Sequence, residues 1–501
     1  RACVDAVRGA GKVAEVCVCY TSDCLASDVY DVAYYAGVAA EAAAAGAHLI
    51  GIKDMAGLLK PAAAAPLLAA IRGVCDLPVH FHTHCTSSAS VAVALEMTRA
   101  GCDVVDFATA AMADLTSQPS LNAFCAAMEG LERAPGIDYM RLEPYDVYWA
   151  KVRAMYAPFE TGMLAGSARV FDHEIPGGQY ANLFVQCQSM GLADRWEEVL
   201  DAYRDVNKLF GDVVKVTPSS KCVGDLALYL VTRRMTAADV LDGSKALDYP
   251  DSVVGLMEGR LGFPHRGFPA DVQQAILGDR KPLTTRPSAA LAPADFGAEA
   301  ARLAAAHGRP LDAERTMASV LYPKVFDDFM RFCVDETCVS VYLPTPVYLH
   351  GLAVGQTARL ASLPAPLAKL ECGVDAPDAV VDVDVTLKRV GPLKAGRMRT
   401  LVFDVNGSEQ RVEVKNPAPE GEFDGPMADA ADAAHVAAPM PGAVDKVLAA
   451  DGAAVAAGDD LCVVSAMKME VAVKCHRAGT LALKVDAGAK VVEGALLATI
   501  N

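Results

Sequence analysis

His82-Thr83-His84 places two imidazoles two residues apart inside an apolar run, hence on one face of a strand and at a spacing that lets them share a metal ion. His80 continues the same parity, so the strand reads equally as a buried face whose imidazoles are satisfied by hydrogen bonds. A second apolar run ends in a lysine, in Gly51-Ile52-Lys53-Asp54-Met55-Ala56-Gly57-Leu58-Leu59-Lys60-Pro61. A protonated lysine cannot ligate a cation, and its ordinary pKa of about 10.4 keeps it protonated. Desolvation lowers that value, and the neutral amine can then take up carbon dioxide as a carbamate, whose oxygens are anionic ligands. On residue chemistry alone, a salt-bridged Lys53 is the simpler reading. A third lysine, Lys468 in Ala466-Met467-Lys468-Met469, falls between two related segments. Gly452-x-x-Val455-x-x-Gly458-x-x-Leu461 recurs as Gly488-x-x-Val491-x-x-Gly494-x-x-Leu497. Two short-strand halves with turn glycines imply a small pseudo-symmetric β-sandwich. A lysine on the hairpin between them stands at the tip of a rigid scaffold, open to a modifying enzyme.

The elements that must carry Lys53 and the histidines alternate in type. Strands are expected at 15–20, 48–53, 78–84 and 103–108, with helices at 32–45 and 62–73. Alternating β and α units imply a parallel sheet, and polar residues gathered at the C-terminal strand ends imply a barrel active site. Four strands are visible where a closed eight-stranded barrel needs about 200 to 250 residues, so the other half is expected ahead of Arg1. Residues 131–290 read as largely helical. Within them 195–210 is amphipathic, with Asp194 expected as N-cap and Gly211 closing the helix. Further on, 380–387 and 399–414 are β-patterned, and Val405-Asn406-Gly407 is a hairpin turn signal. Residues 416–435, rich in Pro, Gly, Asp and Ala, read as a flexible tether with a root-mean-square reach of about 25 Å.

At 501 residues the chain exceeds one hydrophobic core and implies several domains. A formal charge of −17 repels phosphates and argues against nucleic acid. Fifteen cysteines lie scattered, many in apolar runs such as Val16-Cys17-Val18-Cys19, as packing thiols of a reducing compartment do. No stretch reads as a membrane span. The first residue is Arg1 rather than Met, so a targeting segment is not legible.

The last segment resembles the biotin carboxyl carrier domain, on Ala438-Pro439-Met440-Pro441-Gly442 and on Ala466-Met467-Lys468-Met469. Lipoyl domains share that fold and also modify a hairpin lysine, but the methionines on both sides of Lys468 favour biotin. The resemblance implies that Lys468 carries biotin, attached by a biotin protein ligase. The Gly51 to Pro61 run, His82-Thr83-His84, Thr116-Ser117-Gln118-Pro119, Pro176-Gly177-Gly178-Gln179-Tyr180 and Val216-Thr217-Pro218-Ser219-Ser220-Lys221 resemble, in this order, the carboxyltransferase domain of the pyruvate carboxylases. The likeness continues through Tyr249-Pro250-Asp251-Ser252-Val253-Val254 and Tyr322-Pro323-Lys324-Val325-Phe326.

This resemblance implies a multidomain α/β plus all-β chain. Its parts would be the C-terminal half of a TIM-type (β/α)8 barrel (1–130), a helical funnel over its mouth (131–290), a mixed α+β tetramerisation and allosteric domain (311–415), the linker 416–435 and the biotinyl β-sandwich (436–501). Leu343-Pro344-Thr345-Pro346 adds to the likeness in the third part. The family pattern makes Lys53 (carbamylated), His82 and His84 ligands of a divalent metal, Mn²⁺ or Zn²⁺. It makes Thr217 the relay of a proton between biotin and substrate, and places Ser220 near the biotin ring. The implied reaction moves a carboxyl group from carboxybiotin to pyruvate, giving oxaloacetate for anaplerosis and gluconeogenesis. The implied assembly is a homotetramer open to acetyl-CoA regulation, in the cytoplasm or the mitochondrial matrix. ATP and bicarbonate would be used only by a biotin carboxylase domain outside this chain, which has no Gly-rich phosphate loop. The arginine that clamps pyruvate and the aspartate that completes the metal site are likewise expected upstream.

Two other readings stand beside it. A biotin-dependent oxaloacetate decarboxylase or transcarboxylase subunit shares the barrel and the metal lysine. There, however, the Pro-Gly-Gly motif is typically followed by methionine, whereas Gln179-Tyr180 is the carboxylase form. The other is a catalytically silent biotin carrier and assembly module. The chain also departs from the family pattern: Asp-Thr-Ser-Gly after the histidines is Cys85-Thr86-Ser87-Ser88, and Asp-Ser-Met-Ser-Gly ahead of Thr116 is Ala110-Ala111-Met112-Ala113-Asp114. Cys85 reads as a packing thiol or as an added soft ligand. Loss of a carboxylate there would lower turnover.

Overall fold

The four expected strands form one parallel sheet in sequence order: β1 (Glu15–Cys19), β2 (Leu49–Asp54), β3 (Val79–Thr83) and β4 (Val104–Val105). The computed structural model describes residues 1–242, 247–331, 339–375, 380–394, 397–415, 425–429, 432–466 and 469–501. It divides into two compact units, one of Arg1–Ala154, Phe159–Ala289 and Gly425–Asn501, the other of Met155–Pro158 and Ala290–Asp424. After α1 (Ala2–Gly9), helices α2 (Val32–Ala44), α3 (Pro61–Arg72) and α4 (Ser90–Arg99) alternate with the strands. Asp31 caps α2 by accepting from the Tyr34 N–H, and Pro61 supplies the preset φ of a first helical residue in α3.

Strand alternation sorts the sheet into two chemically distinct faces. Val18, Ile50, Ile52, Val79 and Phe81 are buried with Ala39, Ala63, Leu67, Leu68 and Met97 of the helices in one core. The opposite parity brings Glu15, Cys17, Cys19, Lys53, His80 and His82 onto the other face. A one-residue slip in register would exchange the two sets, so burial of the apolar face fixes where the polar residues point.

The helical stretch that follows contains α5 (Leu121–Met128), α6 (Glu143–Met155), α7 (Val170–His173), α8 (Gly177–Ser189), α9 (Trp196–Leu209), α10 (Ser219–Thr232) and α11 (Asp251–Met257). Helix α10 is buried from Cys222 through Val231, as its nearly unbroken apolar sequence requires, and it packs along α9. Asp194 is not the cap of α9. It lies in a preceding 3₁₀ turn, Arg195 takes the cap position without a side-chain bond, and Glu197 and Glu198 supply the acidic first turn that suits the helix dipole.

In the second unit, β5 (Thr357–Pro364), β6 (Val380–Val390), β7 (Met398–Val405) and β8 (Ser408–Lys415) form an antiparallel meander over Leu360, Leu363, Ala368, Val383 and Val405. Asn406 and Gly407 both have positive φ, 49° and 85°, the type I′ turn their sequence signals. Of the expected tether, 416–424 and 430–431 lie outside the described residues. Residues 425–429 run against the terminal sandwich, where Met427 bridges Ala495 and the Leu496 N–H donates to the Pro426 carbonyl.

That sandwich comprises β9 (His435–Ala437), β10 (Gly442–Val447), β11 (Ala454–Val455), β12 (Asp460–Ala466), β13 (Met469–Lys474), β14 (Gly479–Leu483), β15 (Lys490–Val491) and β16 (Leu496–Ile500). They form two four-stranded sheets, ordered β13-β12-β10-β15 and β11-β14-β16-β9. The repeat seen in sequence is a repeat in structure: Gly452, Gly458, Gly488 and Gly494 all turn at positive φ. Ala466 pairs with Met469 across the β12–β13 hairpin. Lys468, between them in sequence, lies outside the described residues. Among the described residues no helix is long and apolar enough to cross a membrane.

Candidate active site

Register places Cys19, Lys53 and His82 side by side across β1, β2 and β3, and His84 follows one residue past the end of β3. The rings of His82 and His84 stand 5.3 Å apart at 78°. His82 Nδ1 is 2.8 Å from Asp106 Oδ2, and His84 Nδ1 is 2.6 Å from the Thr116 carbonyl oxygen. Both partners only accept, so in each ring Nδ1–H is the donor and a neutral ring keeps its lone pair on Nε2, the tautomer a metal ligand needs. Burial holds His84 below the usual imidazole range, although the Thr116 carbonyl pulls the other way.

His80 lies between two carboxylates. Its Nδ1 lies 2.9 Å from Glu15 Oε1 and its Nε2 2.9 Å from Asp106 Oδ1, the latter a charge contact rather than an aligned hydrogen bond. Burial disfavours its protonated form, but the two carboxylates outweigh that and raise its pKa. Asp106, between two imidazoles, is held below the usual carboxylate range in spite of its burial. Glu15, His80, Asp106 and His82 thus form one polar chain across the sheet. Burial keeps Cys19 a thiol although Lys53 lies beside it. Among the described residues, no group of three or more His, Cys, Asp or Glu side chains is placed to hold a metal ion.

The turn after Lys53 is shaped by Asp54, fully buried, which accepts from the Leu58 and Leu59 N–H groups and from Thr83 Oγ1 at 2.8, 3.0 and 2.9 Å. Burial pushes its carboxyl up to about 6 against those bonds. Gly57 turns there at φ 72°, and a Cβ would stand 2.3 Å from the His84 carbonyl oxygen, so no other residue fits. Cys85 is buried, its N–H donates to the Ser117 carbonyl, and burial with Asp114 nearby keeps it a thiol. Ser88 and Asp114, where the pattern has glycine, keep left-handed φ of 63° and 70°.

Thr217 lies in a loop whose turn is tightened by the Val216 N–H donating to Ser219 Oγ. Thr217, Pro218 and Ser219 line a cavity of about 820 Å³ together with Asp28, Tyr34, His265 and Arg266, and Lys53, His82 and His84 do not line it. Ser220 is buried on α10, its carbonyl accepting from Tyr203. The structure brings Lys53, His82 and His84 together but joins Thr217 to them only through intermediates. The Tyr20 N–H donates to the Lys53 carbonyl, Thr21 Oγ1 accepts the Lys215 N–H, and the Gly177 N–H donates to the Met55 carbonyl. Sequence reasoning misses Asp106 and Glu15, for which strand parity with His80 and His82 carries a usable signal.

Three family models fit the chain in succession: HMGL-like over residues 1–145, the conserved carboxylase domain over 170–362, and biotin-requiring enzyme over 434–500. A strand-end site in a βα sheet followed by a carrier-type sandwich, in this order of models, defines the class as the biotin-requiring carboxylases. The chain is 39% identical to the carboxyl transferase domain from Rhizobium etli pyruvate carboxylase, with a TM-score of 0.72, covering 83% of this chain and 68% of that one. It is 38% identical to a complete multifunctional pyruvate carboxylase from the same organism, with a TM-score of 0.71, covering 99% and 45%. Against the pyruvate carboxylase of Bacillus subtilis (strain 168) the identity is 41% over 502 residues. The chain belongs to the pyruvate carboxylase family. It spans 42% of the length of the B. subtilis relative.

Proposed function

We propose that this chain carries out the carboxyl-transfer half of pyruvate carboxylation, forming oxaloacetate from pyruvate with biotin held on Lys468. The observation that supports it most is the pair of imidazoles, His82 and His84, each with Nδ1 engaged and Nε2 left for a ligand, beside Lys53 in register. The donor set fits a divalent metal, Mn²⁺ or Zn²⁺, if the Lys53 amine takes up carbon dioxide and releases a proton, becoming an anionic carbamate ligand. The metal would polarise the ketoacid and stabilise enolate charge. Thr217 would carry the proton between the substrate methyl group and the ureido nitrogen of biotin, and Ser220 would lie near the biotin ring. Buried packing around Asp54 and Gly57 would hold Lys53 and His84 in place while this happens.

The wider reading follows the family. A partial barrel over 1–130, the funnel 131–290, the tetramerisation and allosteric domain 311–415 and the carrier 436–501 would work in a homotetramer with a biotin carboxylase domain that consumes ATP and bicarbonate. Acetyl-CoA regulation and residence in the cytoplasm or mitochondrial matrix belong to the same reading. The test uses the full gene product, biotinylated and supplied with ATP, bicarbonate and pyruvate, with oxaloacetate read by malate dehydrogenase coupling. Activity is expected, with Lys468→Ala abolishing it and Lys53→Ala lowering both activity and bound metal. Stoichiometric biotin without any oxaloacetate, or full activity in Lys53→Ala, would overturn the proposal.

A further inference from the structure

Lys215 stands two residues ahead of Thr217 and is 1% exposed. A buried ammonium is retained only where it is paired, and removing its partner leaves an uncompensated charge. Lys215 Nζ lies 3.0 Å from Glu174 Oε2, an ion pair without hydrogen-bond alignment. The other Glu174 oxygen accepts from Ser22 Oγ at 2.8 Å, and the Lys215 N–H donates to the buried Thr21 Oγ1 at 3.1 Å. Lys215 also lines a polar cavity of about 200 Å³ with Asp28, Tyr30, His173, Asn207 and Asp212. That is room for several waters to complete its hydrogen bonding.

Glu174 is held in the left-handed region, at φ 53°. That is the C-cap of α7, where its N–H donates to the Val170 carbonyl, so the backbone there is set by the helix end and the side chain is directed to Ser22 and Lys215. Three residues on, Gly177 packs so tightly that an added Cβ would stand 2.7 Å from His84 Nδ1. In the other direction, Thr21 follows Tyr20, whose N–H donates to the Lys53 carbonyl at 2.8 Å. A continuous path therefore runs from Lys53 through Tyr20 and Thr21 to Lys215, across to Glu174, and through Gly177 to His84. Thr217 hangs from it two residues past Lys215.

We propose that Lys215 and Glu174 are positioning residues, whose buried ion pair sets the Thr217 loop against the strand ends that carry Lys53 and His84. The inference rests on the carboxyl-transfer reading and adds a residue pair to it. A pair that served stability alone would, when removed from both sides, leave turnover per folded molecule unchanged. A positioning pair would not, because a displacement of about 1 Å costs on the order of 100-fold in rate.

The experiment compares wild type, Lys215→Met, Glu174→Gln and the double variant in the biotinylated full gene product. It reads kcat and KM for pyruvate, tritium release from methyl-labelled pyruvate, thermal unfolding, and hydrogen exchange of residues 213–221. The double variant, in which neither member of the pair is left without its partner, is expected to unfold closer to wild type than either single variant yet to lose about 100-fold in kcat and tritium release, with KM for pyruvate within about threefold. Exchange in 213–221 is expected to rise in all three variants. Wild-type kcat in the double variant, or unchanged exchange in 213–221, overturns the inference. Absence of oxaloacetate formation in wild type overturns the carboxyl-transfer reading instead, and the exchange result still decides whether the pair holds the loop.

Discussion

Acid should loosen the turn that seats Gly177 against His84 before it unfolds the molecule, because His173 is folded in its neutral form. The ring is 1% exposed, stacks on Tyr180 at 5.3 Å and 16°, and accepts the Ile175 N–H on Nδ1. Burial, helped by the positive charge of Arg169, lowers its pKa from 6.5 to about 4. As pH falls, the unfolded chain takes up the proton first, so the stabilisation is complete above about 6.5 and is lost progressively toward 4. Between pH 7.5 and 5.5 the two states differ by a factor of about ten, or about 1.4 kcal/mol, rising to about 2 kcal/mol at pH 5.0 and about 3 kcal/mol in full. The assay is amide hydrogen exchange over residues 170–190 of the full gene product, corrected for intrinsic rates. Protection is expected to fall about tenfold between pH 7.5 and 5.5. His173→Asn, which still offers an oxygen to the Ile175 N–H in an Asx turn and does not titrate, should remove most of that fall. An equal loss in wild type and variant would refute the reasoning, since other groups would then be driving the opening.

Gly177→Ala would press a Cβ to 2.7 Å from His84 Nδ1 and 3.0 Å from the Thr116 carbonyl oxygen, costing about 1 to 3 kcal/mol by overpacking; unchanged thermal unfolding would contradict this. Asp106→Asn removes the charged orienter of His82, and metal affinity measured by chelator competition should fall about 10- to 100-fold, with wild-type affinity counting against the tautomer assigned to that ring. Ser88→Gly relieves a left-handed serine and should raise the unfolding free energy by about 0.5 to 1 kcal/mol in denaturant titration.

The parallel sheet and the terminal sandwich are legible in sequence because local signals suffice for both: apolar runs between alanine-rich helices in one, repeated turn glycines in the other. Burial of one sheet face then forces Lys53 and His82 abreast, which is why the strand-end lysine and histidines can be grouped from strand position and parity alone. The Asp194 cap fails because a 3₁₀ turn shifts the helix start, a difference of one or two residues that pattern does not resolve. Asp106 is harder to find. It lies just past a two-residue strand and meets His82 across 24 residues of chain. Lys215 and Glu174 are 41 residues apart, within no shared period, and only the fold joins them.

The strand bearing His80 and His82 shows what periodicity cannot separate. Both imidazoles share a strand, a face and a parity, and the sequence supports a ligand and a satisfied buried histidine equally. Register separates them. Glu15 on β1 reaches His80, while Asp106 past β4 reaches both rings, so His80 meets carboxylates on two sides and His82 on one. Two carboxylates favour a charged imidazolium, which has no lone pair to offer. One carboxylate, accepting from Nδ1–H, leaves the Nε2 lone pair of a neutral ring free for a metal. Under the proposed function, two roles that one-dimensional pattern leaves degenerate would be told apart by which neighbouring strand supplies the acid.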